Sequence, residues 1–175
     1  MGLLWGLIKK ILILFIGTSV LAVVLYRYVP VYVTPLMIIR AVEQKADGKP
    51  IKWKHDWVSL DRISRNMPQA VVASEDNLFL SHNGFDYEQI KKAIAEAKAG
   101  RRYRGASTIS QQTAKNVFLW NGGGFFRKGL EAYFTLLIEL LWSKERIMEI
   151  YLNSIEMGRG IYGVEAVAQE NFGKK

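Results

Sequence analysis

A chain of 175 residues, half of them hydrophobic, can form one ordinary domain plus a membrane segment, and a charged content of 23% excludes a highly charged disordered chain. The absence of cysteine excludes disulfides, thiolate metal sites and cysteine nucleophiles, and the two histidines, His55 and His82, are too few for a histidine cage. A formal net charge of +8 suits anionic headgroups, a phosphorylated substrate or nucleic acid without choosing among them.

Residues 11–26 form an uncharged run of 16, slightly under the roughly 20 that cross a bilayer. Residues 3–8 and 28–33 extend its apolar reach, and Lys9 and Lys10 can snorkel to the interface. Tyr26, Tyr28 and Tyr32 suit an aromatic belt on the far side. With both lysines on the short side, the N-terminus is expected in the cytoplasm and the remainder outside. No small-x-small cleavage site follows the run, which favours an anchor over a signal peptide or a buried core helix.

Residues 34–46 read as a helix leading from the membrane, Asp47-Gly48-Lys49-Pro50 as a turn, and 51–60 as a short extended or irregular segment. A helix with Pro68 in its first turn is predicted to run to about Leu80, where Asn83-Gly84 breaks the chain. Asp86 caps a helix over 87–99, closed by Gly100. The basic loop Arg101-Arg102-Tyr103-Arg104-Gly105 follows. Ser107 or Thr108 opens the next helix, with Gln111 as capping-box partner if Thr108 is the cap. The segment 118–126, with Asn121-Gly122-Gly123-Gly124 at its centre and aromatic residues around it, reads as a mobile apolar flap or a plain connection. A long helix is predicted over about 127–142. Ser143 caps another, whose inner face carries Ile147, Ile150, Tyr151 and Ser154. Gly158, Gly160 and Gly163 mark a loop before a last helix from Val164. Strand signals are weak, so the fold class is mainly α.

Four segments carry candidate chemistry, each beside a blander account. Glu75-Asp76 follows a small apolar run; apolar surroundings raise a carboxyl pKa and suit a general base, whereas an exposed helix end would simply solvate both acids. In Gly105-Ala106-Ser107-Thr108-Ile109-Ser110-Gln111-Gln112-Thr113-Ala114-Lys115-Asn116, free N–H groups at a helix start could take phosphate; a capped helix is the alternative. In Arg127-Lys128-Gly129-Leu130-Glu131, two cations and a carboxylate could face a pyrophosphate, or Arg127 and Glu131 could form a surface pair. In residues 144–153 the apolar spacing points to packing, with Tyr151 and Asn153 able to support a cleft.

Together these segments resemble the motif series of the peptidoglycan glycosyltransferases. Glu75-Asp76-x-x-Phe79-x-x-His82-x-Gly84 resembles the first motif, residues 105–116 the second, Arg127-Lys128-x-x-Glu131 the third and Arg146-Ile147-x-Glu149-x-Tyr151-Leu152-Asn153 the fourth. Gly160-x-x-Gly163-Val164-Glu165-Ala166-x-Ala168-Gln169 with Phe172-Gly173-Lys174 resembles the fifth, although Asn171 stands where the family usually has an aromatic residue. Five motifs in the family's order are far more specific than any one of them. Residues 127–142 are especially similar to the monofunctional biosynthetic subgroup.

The resemblance implies a tip and transmembrane anchor over 1–33, a juxtamembrane connector over 34–63, and a lysozyme-like helical glycosyltransferase domain over 64–175 that reads as incomplete at its C-terminus. It implies inverting transfer of a growing lipid-pyrophosphate-linked glycan onto lipid II, forming β-1,4 bonds outside the bacterial cytoplasmic membrane. Glu75 and Glu131 are the implied catalytic carboxylates. Ser107, Thr108, Gln111, Gln112, Lys115, Asn116, Arg127 and Lys128 are implied to bind substrate and pyrophosphate, with Asp76, Phe79, His82, Tyr151 and Asn153 in support. Glu131 would orient the cations or hold Mg²⁺ or Mn²⁺; no organic cofactor is expected. The expected partners are lipid II, lipid-linked glycan, the membrane and cell-wall synthesis or division proteins, not nucleic acid. A lysozyme-like glycan-cleaving enzyme and a non-catalytic membrane scaffold are the alternatives.

Overall fold

A computed structural model describes residues 2–100 and 105–173. The basic residues Arg101, Arg102, Tyr103 and Arg104 of the loop, and Lys174 of the fifth motif, lie outside the described residues. The elements in chain order are α1 (Gly2–Tyr28), α2 (Pro35–Ala46), β1 (Lys54–His55), a 3₁₀ turn (Leu60–Arg62), α3 (Asn66–Glu75), α4 (Tyr87–Lys98), α5 (Ile109–Phe118), α6 (Gly124–Leu141), α7 (Lys144–Ser154), β2 (Glu156–Gly158), β3 (Ile161–Tyr162) and α8 (Val164–Phe172).

The core is built around α5, which packs against α6 and α7 and has seven of its ten residues buried. Its start is fixed by a capping box. Thr108 Oγ1 accepts from Gln111 N at 3.2 Å, and Gln111 Oε1 accepts from Thr108 N at 3.0 Å. Its end is marked by Phe118, whose ring stacks on Phe134 of α6 at 4.5 Å between centroids. Ile109, Val117, Ile138, Ile147, Ile150 and Leu152 complete the centre of one hydrophobic cluster.

The apolar helix α1 extends through 27 residues, well past the uncharged run of 16. Its C-terminal half packs on the domain. Phe15 meets Tyr133 and Phe134, and Ser19 Oγ shares a hydrogen bond with Tyr133 Oη at 2.7 Å. Trp142 Nε1 donates to Val23 O at 2.8 Å, while Val23 and Val31 join the core. The guanidinium of Arg146 donates to the carbonyls of Tyr26 and Val29, satisfying acceptors that a helix end leaves open. By contrast, Leu3, Leu4, Trp5, Leu7, Ile8 and residues 11–14 are exposed.

Three boundaries differ from the sequence expectation. The helix over 66–75 stops at Glu75, not near Leu80, because Asp76 leaves the helical path (φ −161°, ψ 78°) to make contacts distant in sequence. Helix α6 begins at Gly124, so Phe125 and Phe126 lie on its first turn, and Phe118 belongs to α5; the expected flap over 118–126 reduces to residues 119–123. The glycine-marked loop after α7 is a β2–β3 hairpin, and β1 pairs parallel with β3 to complete a small sheet. Strands of two or three residues are too short for alternation to register in the sequence.

Gly84 sits where no other residue fits. Its φ is +90°, and a Cβ there would stand 2.7 Å from Thr135 Cγ2 and 3.0 Å from Glu139 Cγ. Gly84→Ala is expected to destabilise the domain by about 2–4 kcal/mol through strain and overpacking. Thermal or denaturant unfolding of the variant beside the parent measures this.

Candidate active site

Helix α5 brings the candidate residues to one place. Gln112 and Lys115 lie one turn apart on the same face of α5. Gln112 Nε2 donates to Glu75 Oε2 at 3.0 Å, which fixes the candidate base against that face. Tyr151 lies beneath. Its phenol donates to Gln112 Oε1 across 3.5 Å, and burial, followed by the Glu75 charge, pushes its pKa well above the ordinary value. A phenol held protonated keeps the Gln112 amide nitrogen turned toward Glu75.

One turn further along α5 is a cluster of charge. Glu131 is 2% exposed. Its Oε2 accepts from Arg127 Nη1 at 2.6 Å and its Oε1 from Lys128 Nζ. Lys128 Nζ also donates to Ser107 Oγ at 3.2 Å, joining the start of α6 to the start of α5. Half-burial holds the Lys115 ammonium below the ordinary lysine pKa; Glu131 opposes that shift, while Arg127, Lys128 and Arg40 of α2 reinforce it. Arg40 was not apparent from the sequence as part of this field, because α2 reaches α5 only through the tertiary fold. Three cations face one carboxylate in this cluster, leaving an excess of positive charge that suits a dianionic group.

The remaining candidate residues hold these in place, and Asp76 and Thr108 also line the cavity beside Glu75. Asp76 is buried, its carboxylate taking His82 Nε2 at 2.9 Å and Ile109 N at 3.0 Å. Gly84 N donates to His82 Nδ1 at 3.1 Å, so Nε2 carries the proton shared with Asp76. Phe79 is buried edge-on to His82. Thr108 Oγ1 donates to Gly84 O at 2.7 Å, and Asn116 is buried within α5. The Asn153 side chain accepts from Val58 N at 2.9 Å and donates to Val58 O at 2.8 Å, holding the connector to α7.

Two expectations are corrected here. Glu75 is exposed at the cleft, not set among apolar side chains; Asp76 takes the buried position because it can satisfy His82 and Ile109. The start of α5 is not an open anion site, since the Ile109 amide is taken by Asp76 and the Thr108 and Gln111 amides by the capping box. Thr108 and Gln111 build the helix that presents Gln112 and Lys115, and Gln111 also lines a cavity with Ser107 and Lys128. A divalent ion on a pyrophosphate would meet Glu131 only by displacing Arg127 or Lys128, since both Glu131 oxygens already face those cations.

The transglycosylase family model matches residues 43–175, which include every one of these side chains except Arg40. The chain belongs to the transglycosylase family. It is 62% identical over 164 residues to the biosynthetic peptidoglycan transglycosylase of Bacteroides thetaiotaomicron, covering 94% of this chain and 66% of that relative. It is 53% identical over 171 residues to the protein of that name from Caulobacter vibrioides, covering 98% and 72% of the two chains. The corresponding protein of Pseudomonas syringae pv. syringae is 53% identical over 165 residues, 94% of this chain and 70% of the relative. The chain thus spans about two thirds of the length of these transglycosylases. Glu75, Gln112, Lys115, Arg127, Lys128 and Glu131 all fall inside the matched family region.

Proposed function

We propose that the chain polymerises peptidoglycan glycan strands, transferring a lipid-pyrophosphate-linked glycan onto lipid II. The observation that carries this reading is the exposed Glu75 carboxylate held by Gln112 one helical turn along α5 from Lys115, where Lys115, Arg127 and Lys128 outnumber Glu131. Glu75 takes the proton from the acceptor 4-hydroxyl as that oxygen bonds to the donor anomeric carbon. The bond from that carbon to the pyrophosphate oxygen breaks, and the lipid pyrophosphate leaves. Lys115, Arg127 and Lys128 stabilise the charge developing on it. Glu131 orients these cations and limits their mutual repulsion. No step is routed through a metal.

The cation cluster also favours polymerisation over hydrolysis of finished peptidoglycan, which carries no pyrophosphate. Lipid II and finished peptidoglycan, offered separately to the purified chain, test the choice. Polymer from the first supports the proposal. Fragments from the second, without polymer from the first, overturn it.

We propose that α1 spans the bilayer, and its length supports an immersed domain face. Residues 2–14 precede Phe15, which meets Tyr133 of the domain, and supply about 20 Å of helix, whereas a hydrocarbon core is about 30 Å thick. If α1 spans the bilayer, part of its domain-packed half is immersed too, and α6 with it. Leu136, on α6 between Phe134 and the following Trp142, both of which meet α1, is 51% exposed. The chain has no cysteine, so Leu136→Cys provides a unique label site. A nitroxide there, in the reconstituted protein, is expected to be relaxed by oxygen and shielded from a water-soluble nickel complex. The opposite pattern would place α6 outside the hydrocarbon.

A further inference from the structure

The candidate base sits at the end of a helix that has little to hold it. Helix α3 has no buried residue. Its apolar side chains Met67, Val71 and Val72 are only partly buried against the core. The direction of Glu75 therefore depends on the turn that follows, where the Asp76 carboxylate is locked to His82 and to the amide of Ile109.

Behind that lock lies a second layer which the transfer reaction does not use. The Glu139 side chain is 7% exposed, on α6, and its Oε1 accepts from Ser110 Oγ of α5 and from Lys144 Nζ of α7, the latter at 2.8 Å. Lys144 Nζ also donates to the carbonyl of His82 at 2.7 Å and stands 4.6 Å from the centre of the Phe79 ring. Gly84, at the end of the same turn, is packed directly against Thr135 and Glu139. One carboxylate thus grips α5 beside Ile109 and, through Lys144, the turn that carries His82. These are the two partners to which Asp76 is bound.

We propose that Glu139 is a positioning residue for the Glu75 carboxylate, acting with Lys144 through the His82–Asp76 turn. The inference rests on Glu75 being the base. Glu139 touches neither the cation cluster nor the cleft, so its loss should misplace the base and leave donor binding intact. A buried carboxylate removed from one side of a pair also leaves the Lys144 ammonium without its counter-charge; removing both partners relieves that defect in stability but not the lost grip on the His82 turn.

The test compares steady-state lipid II polymerisation by the parent, Glu139→Gln and the double variant Glu139→Gln/Lys144→Met, below the unfolding temperature of each. Glu139→Gln is expected to lower kcat by about 10- to 100-fold, the scale of a displaced catalytic group, with KM for lipid II changed by less than about twofold. The double variant, which also lacks the Lys144 grip on the His82 carbonyl, is expected to regain stability while its kcat stays within about threefold of the single variant's. If Glu139→Gln does not fold, Ser110→Ala, which cuts only the α5 link, is expected to lower kcat in the same KM-independent way. A folded variant that retains kcat within about twofold overturns the inference. So does a loss expressed mainly in KM, or a double variant whose kcat returns to within about twofold of the parent's, which would assign the loss to the stranded charge and not to the turn. An inactive parent overturns the transfer reading itself, which is a separate outcome.

Discussion

Glu75→Gln is expected to reduce lipid II polymerisation by at least about 10²-fold, within the 10²- to 10⁴-fold range of a positioned general base. The structure isolates the proton-accepting role unusually well. Glu75 is exposed, and its side-chain partner is the Gln112 amide at 3.0 Å. A glutamine fits the same space and presents an oxygen to the same donor, so stability should change by no more than about 0.5 kcal/mol. Unfolding curves of the two proteins should therefore nearly coincide while their rates diverge. Initial rates of lipid II consumption, with donor-analogue affinity measured on the same preparations, check both halves. Near-parental polymer yield would remove Glu75 from the chemistry and leave the scaffold reading in its place. The neighbouring acid behaves differently: Asp76 is buried and doubly bonded, so its replacement would disturb the fold and the rate together.

That contrast shows how far the sequence could be read. The capping box of α5 was legible because Thr108 and Gln111 are three residues apart, and local geometry alone joins them. The start of α7 at Ser143 was legible for the same reason, its hydroxyl accepting from Arg146 N. The end of α3 was not. Nothing near Asp76 terminates a helix; the stop depends on Ile109, 33 residues further along the chain. The motifs named Glu75, Lys115, Arg127 and Glu131 as a group, but spacing could not say which acid would be buried. The burial of Glu131 likewise comes from the packing of α6 on α5, since the i,i+4 pair with Arg127 would read the same on a solvated helix. Glu139 and Lys144 stayed hidden among residues patterned for packing, because their polar partners lie on other elements.

Glu131→Gln is expected to impair the protein in two separable ways. The first is stability. Glu131 is almost fully buried, and Arg127 beside it has only 14% of its side chain exposed; Lys128, at 45%, can turn to water. Removing the carboxylate strands Arg127 and half-buried Lys115 without their counter-charge, at a cost of about 3 kcal/mol. The second is pH dependence. Desolvation already lowers the Lys115 pKa below its ordinary 10.5, and Glu131 is the group that opposes the shift. Without Glu131 the Lys115 pKa falls further. Pyrophosphate needs the protonated ammonium, so kcat/KM should decline with rising pH, starting below the ordinary lysine range in the parent and at lower pH still in the variant. Folding linkage has the opposite sign. A lysine with a depressed folded pKa penalises the folded state while charged, and that penalty fades as pH rises from the folded value toward 10.5. The variant should therefore regain stability over a wider alkaline window than the parent even as its activity falls. Parallel pH series of kcat/KM and of unfolding free energy measure the two trends. Coincident alkaline limbs for parent and variant would mean that Glu131 does not govern the charge on Lys115, and the proposed cradle would lose its central carboxylate.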